Sequence, residues 1–209
     1  MIELQINDRK YKVPESFEEL TLEQYCKCFY KIAHLDDDAD EIERLTMAKR
    51  NEAAILSRLL GEADDFCLDI PLELFAHLAE ATRWLYDADF FIRNSKASVR
   101  IDGKLYSVPP LDRMTMRQYI DADMVMKEES DHQFIDLLSV LLLTHDEKDE
   151  WIPYDGGYEK MVPKVKGLSC ADALPLVYHF FKKGQALNLL SRASMTEEES
   201  QLAHNTANS

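Results

Sequence analysis

The densest run of metal-type ligands is LDDDADE, Leu35 to Glu41. Asp36, Asp38 and Asp40 have the spacing of the first three ligands of a calcium-binding loop, but Glu41 takes the place of the turn glycine and the twelfth position falls on Met47. Without a closing bidentate carboxylate the run reads as a solvated helix start, its charges favoured by the positive end of the helix dipole. The six histidines, His34, His77, His132, His145, His179 and His204, show no HxxxH or HExxH spacing that would bring two imidazoles onto one helical face. Cys26, Cys28, Cys67 and Cys170 lack a CxxC pair, so they read as free, packing thiols and not as a zinc site. His145-Asp146-Glu147 can be drawn as a general-acid cluster, yet short polar runs of this kind belong to loop surfaces. Gly156-Gly157 sits in YDGGYE, a turn and not a phosphate loop, and no nucleophile elbow occurs. No catalytic, cofactor-binding or metal-binding residue is assigned, and the chain reads as a non-enzyme.

One constellation suits recognition. Trp151, Tyr154 and Tyr158 are followed by Lys160, Lys164 and Lys166. Aromatics can stack on a base, but the cations are too sparse among them for that role, so they form a packing or interface patch. The lysines give that patch a modest basic edge, a docking point for an acidic surface on a neighbouring subunit.

The elements that must position these residues follow from a phrase that occurs twice. Ile2, Leu4 and Ile6 alternate with polar residues, Asn7-Asp8 supplies a turn, and Tyr11 and Val13 alternate again before Pro14. In the second copy Val99 and Ile101 precede Asp102-Gly103, a favoured two-residue hairpin turn that sets Ile101 opposite Lys104 and Val99 opposite Tyr106. Pro14 and Pro109 each end a strand. Thr21 to Gln24 and Thr115 to Gln118 both fit a capping box, and Leu20 with Tyr25, like Met114 with Tyr119, has the spacing of a hydrophobic staple.

Helical periodicity continues after each phrase. The first half has Leu22, Tyr25, Phe29 and Ile32; then a helix from the Asp38–Asp40 region through Ile42, Leu45, Ile55, Leu56 and Leu59 to a stop at Gly61; then one from Pro71 carrying Leu74, Phe75, Leu78, Trp84 and Leu85. The second half has Met116, Tyr119 and Ile120, then Phe134 to Leu143, then Ala171 to Leu190. The expected class is α+β and helix-rich, a duplicated module of a β-hairpin followed by about three helices. The first unit spans 1–96 and the second 97–193, with an insertion at 145–168; 194–209 has the composition of a flexible tail, which could reach onto a neighbouring subunit.

Bulk charge narrows the partners. The net charge of −15, without any Lys/Arg-rich run, argues against binding nucleic-acid phosphates or an anionic membrane. No apolar run approaches the roughly 20 residues of a membrane span, and the start lacks a secretory signal, so synthesis in the cytoplasm is expected.

The doubled pattern I-x-I-x-[DN]-x-x-x-Y-x-VP, followed by [LM]-T-[LM]-x-Q-Y, resembles the openings of small structural and assembly proteins of tailed bacteriophages, closest to those of crAss-like phages. The resemblance covers Ile2 to Tyr25 and Val99 to Tyr119. It implies a non-enzymatic virion component, synthesised in the host, that forms a ring with itself and meets other tail or portal proteins. The alternative it implies is a tail assembly chaperone or adaptor absent from the finished particle.

Overall fold

The computed structural model describes residues 1–33, 40–128, 130–147 and 149–183. Residues 35–39 of the calcium-like run, His34, the end of the last expected helix, the tail and His204 lie outside them. The fold is α+β and helix-rich, with two antiparallel hairpins.

Both hairpins form where expected, the second with the expected pairing. Strands β1 (Ile2–Ile6) and β2 (Arg9–Val13) set Leu4 against Tyr11, and Asn7 takes the left-handed φ of +52° that asparagine tolerates. Strands β3 (Ser98–Ile101) and β4 (Lys104–Ser107) set Val99 against Tyr106 and Ile101 against Lys104. Asp102 and Gly103 at φ +51° and +78° supply the two positive dihedrals of a type I′ turn. Alternation places Ile6, Tyr11 and Val13, and likewise Val99, Ile101 and Tyr106, in the interior.

Helix α1 (Leu22–Phe29) begins with the expected capping box: Thr21 Oγ1 accepts from the Gln24 amide at 3.2 Å, and Gln24 Oε1 accepts from the Thr21 amide at 3.0 Å. Its two remaining N-terminal amides reach across the molecule. Leu22 N–H donates to Leu168 O at 2.8 Å and Glu23 N–H to Lys166 O at 3.2 Å. Cys170 N–H returns to Leu20 O at 2.8 Å, and Ala171 N–H to Phe17 O at 3.1 Å. The far end of α1 is capped by Arg58, whose guanidinium donates to the carbonyls of Cys28 and Tyr30 and forms a bidentate pair with Asp64 at 2.7 and 2.6 Å. Every orphan donor of the first turn and two carbonyls of the last are thereby satisfied.

Helix α2 (Glu41–Leu59) starts with a capping box of Asp40 and Glu43 and stops before Gly61 at φ +76°. Its expected apolar face is buried only in the second half. Ala53, Ile55 and Leu56 are interior, whereas Ile42 and Leu45 face out. The helix expected from Pro71 through Leu85 breaks in two. Helix α3 (Leu72–Ala81) ends at buried Thr82, whose hydroxyl bonds back to Leu78 O at 2.8 Å, and a 3-10 turn (Arg83–Tyr86) follows. A further helix, α4 (Ala88–Arg93), brings Phe90 and Phe91 onto Phe17, where Trp84 completes an aromatic cage with ring centroids 4.7–4.9 Å from the phenylalanine.

The second half carries α5 (Met116–Lys127), α6 (Gln133–Leu141), the short α7 (Val162–Val165) and α8 (residues 170–183). The helices of the two halves differ in length, 8 and 19 residues for α1 and α2 against 12 and 9 for α5 and α6, so the likeness resides in the hairpins and caps. One hydrophobic core draws on both: Leu20, Leu22 and Ile55 pack in the same cluster as Val99, Leu137 and Leu176. A smaller cluster of Val13, Ala53, Leu56, Cys67 and Leu78 lies between the first hairpin, α2 and α3.

The second capping box is only half made. Thr115 accepts from the Gln118 amide at 3.2 Å, but the Gln118 side chain turns inward, fully buried, and donates to Val140 O at 2.8 Å. There it caps a carbonyl in the last turn of α6 that the helix itself cannot pair. Gln118→Leu leaves that carbonyl unpaired but also removes the buried, unpartnered Gln118 Oε1, so the net cost should be about 1 kcal/mol, read as a lower urea midpoint at unchanged slope. The Arg58 pair holds the Asp64 carboxyl below its ordinary range. Its contribution to stability is complete above the unfolded carboxylate pKa and fades as pH falls through the lowered one. Urea unfolding from pH 7 to pH 2 should show wild type losing more stability than Asp64→Asn.

Candidate functional site

Helix α5 is turned with its interior positions Gln118, Ala122 and Val125 toward the core. These positions recur at i, i+4 and i+7, so the opposite side of the helix bears Met116, Ile120 and Met124. That side is open: Met116 is 73% exposed, Tyr119 59%, Ile120 48% and Met124 57%. Met116, Tyr119 and Ile120 do open a helix as expected, but they form its outer surface and not its core face. Of the second staple pair, Met114 packs against the core while Tyr119 is largely exposed.

The 145–168 segment braces this helix from one side. Tyr154 Oη donates to Asp121 Oδ2 at 2.7 Å, and burial, with that carboxylate second, pushes the phenol pKa up. Arg117 Nη1 donates to Asp155 O at 3.3 Å. Gly156, at φ +86°, has a backbone that lets the guanidinium lie close, since a β-carbon there would meet Arg117 Nε at 3.3 Å. Two side chains of α5 are thus fixed to three consecutive residues of the segment.

The predicted interface residues take different places. Tyr154 and Tyr158 pack against the core. Trp151 pairs with His145 as an isolated bridge, their rings 3.9 Å apart and tilted by 42°. It also lines a cleft of about 500 Å³ with Arg113, Thr115, Glu150, Pro153 and Tyr154, at the start of α5. Lys160 lies 3.6 Å from Asp155, and Lys164 lies 4.0 Å from Asp102 and over the Tyr106 ring. Lys166 is exposed, and its carbonyl receives the Glu23 amide. The segment therefore brings Trp151 and Tyr154 together beside α5, with Lys160 next to them on Asp155 and Lys164 against the second hairpin.

The His145-Asp146-Glu147 run makes a turn. The Asp146 amide donates to Glu150 O at 2.8 Å, and the Asp146 carboxylate accepts the Glu150 amide at 2.9 Å. The four cysteines are buried and free, with Cys26 and Cys28 pushed up to about 12 by burial, which leaves them protonated and unreactive at neutral pH. Among the described residues no three His, Cys, Asp or Glu side chains gather as metal ligands, and no helix is long and apolar enough to cross a membrane. No known protein family, curated protein or solved structure matches the chain.

Sequence periodicity finds α5 but assigns its faces by hydrophobicity alone. The signal for the true inner face was the small residue Ala122 between Gln118 and Val125, flanked by a glutamine whose amide could serve as a buried cap. Tyr154→Phe tests the brace: losing the 2.7 Å bond to Asp121 should cost about 1–2 kcal/mol in urea unfolding without altering the helical circular dichroism.

Proposed function

We propose that this chain is a non-enzymatic structural subunit of a tailed-phage virion, a ring-forming protein of the tail or portal-connector region built from a duplicated module. The observation that carries the reading is the outward apolar face of α5. Burying Gln118 while exposing Met116, Tyr119, Ile120 and Met124 makes little sense for an isolated molecule and good sense for one covered by protein. The doubled hairpin-and-cap pattern supports the phage assignment through its resemblance, and two similar units offer like surfaces for contacts between neighbours. A net charge of −15 suits a lumen through which DNA passes without adhering.

A second reading, a tail assembly chaperone or adaptor, draws on one other feature. An apolar groove of about 630 Å³, lined among others by Phe29, Ile32, Ile55 and Tyr86, could receive an extended segment of a client. Mass spectrometry of purified virions separates the two. A fixed, many-copy stoichiometry in mature particles is the expected result; absence from particles that contain the other tail proteins overturns the structural reading in favour of the chaperone.

A further inference from the structure

The cleft lined by Trp151 and Tyr154 has walls that are fixed before anything enters it. Residues 144–152 double back on themselves: Ile152 N–H donates to Thr144 O at 2.9 Å, Asp146 N–H donates to Glu150 O at 2.8 Å, and the Asp146 carboxylate accepts from the Glu150 amide at 2.9 Å. His145 backs the Trp151 indole with ring centroids 3.9 Å apart, and Tyr154 is tied to Asp121 at 2.7 Å. With Pro153 between them, Trp151 and Tyr154 give the cleft two rings whose places are already set, so little freedom is lost when a ligand binds.

The polar groups of the cleft are left over from folding. Among the described residues, Trp151 Nε1 makes no hydrogen bond, and it is not sealed from solvent. The side chains of Arg113, Asp149 and Glu150 are exposed and form no ion pair or hydrogen bond there either. Over residues 112–117 and 145–160 carboxylates outnumber cations, with Arg113, Arg117, Lys148 and Lys160 against Asp112, Asp146, Glu147, Asp149, Glu150, Asp155 and Glu159. The local field therefore favours a cation.

One ligand geometry uses all of these groups. A polyproline II segment has no internal hydrogen bonds, so the carbonyls it brings are free for an indole N–H or a guanidinium. Its prolyl rings pack on aromatic side chains, and an arginine or lysine beside them can pair with the two unspent carboxylates. A helical ligand arrives with its carbonyls already paired and leaves the indole N–H unused. The chain does not supply such a segment from its own end: Pro14, Pro71, Pro109, Pro110, Pro153, Pro163 and Pro175 all lie within the described residues, and 184–209 contains no proline. We propose that the cleft binds a proline-rich segment of another protein in the polyproline II conformation, with a basic residue next to the prolines set against Asp149 and Glu150. The proposal goes beyond the virion reading and stands or falls without it.

The test is fluorescence anisotropy of the full chain with three labelled peptides: hexaproline flanked by arginine at each end, hexaproline flanked by glutamate, and hexa-alanine flanked by arginine. The arginine-flanked hexaproline should bind saturably, at least about tenfold more tightly than either of the others. Trp151→Ala should weaken it at least about tenfold. Because that change also removes the stack on His145, a second variant reads the charge alone. Asp149→Asn with Glu150→Gln alters only exposed side chains, and asparagine tolerates the φ of +63° at position 149. It should leave the circular dichroism unchanged and bring the two hexaproline peptides within about threefold of each other. No saturable binding overturns the proposal. Equal binding of the hexa-alanine peptide overturns the polyproline geometry and leaves charge attraction only. Equal binding of the two hexaproline peptides by wild type overturns the part given to Asp149 and Glu150, and binding that survives both variants overturns the cleft as the site.

Discussion

The fold depends on the backbone exchange that joins residues 17–23 to residues 166–171. Thr21 and Cys170, whose thiol lies 3.3 Å from the Thr21 carbonyl, are 149 positions apart in sequence. Leu22 and Glu23 donate into the chain just after α7 while Cys170 and Ala171 donate back. The start of α1 is thereby set against the end of α7 and the start of α8. The positive end of α1 meets the carbonyls of Lys166 and Leu168 in the connection between α7 and α8, so donors that would otherwise need solvent are satisfied within the protein. Phe17, whose carbonyl takes part, is also the centre of the aromatic cage of Trp84, Phe90 and Phe91. Hydrogen bonding and packing thus converge on one short connection after Pro14.

A similar exchange closes the second half. Ser107 and Leu143 trade backbone bonds of 2.8 and 3.0 Å, tying the end of the second hairpin to the end of α6, and Gln118 caps Val140 from the adjacent α5. With α6 held on one side and Tyr154 and Asp155 on the other, α5 has no freedom to roll its methionines inward. The exposure of Met116, Ile120 and Met124 is therefore a built feature of the fold and not a loosely packed helix. It also explains why the 145–168 segment and the outer face belong together, since the segment is the brace and the face is what it presents.

Much of the local structure was legible in the sequence because its causes are local. Asp102-Gly103 can hardly do other than turn, Pro14 cannot continue a ladder, and Thr21 with Gln24 satisfies its own amides within four residues. What escaped was decided by distant partners. Gln118 has the same spacing from Thr115 that Gln24 has from Thr21, yet its side chain goes to Val140, because an unpaired carbonyl of α6 lies within reach. The break at Thr82 and the helix bearing Phe90 and Phe91 follow from the need to enclose Phe17, which no window of sequence around them reveals. The candidate site was legible only in part. Trp151 and Tyr154 were found through their composition, whereas the α5 face was hidden by the assumption that a helical apolar stripe points inward.

The exchange between α1 and the start of α8 has a consequence for a chain made one residue at a time. The amides of Leu22 and Glu23 have no protein acceptor until residues 166–168 leave the ribosome, which at ordinary rates of synthesis takes on the order of 10 s. Throughout that interval Leu22 and its neighbours lack the second-half residues of the core they share, Leu137 and Leu176 among them. The N-terminal half therefore stays incomplete until the second half has been made, and the translation rate of the second half sets how long that state lasts.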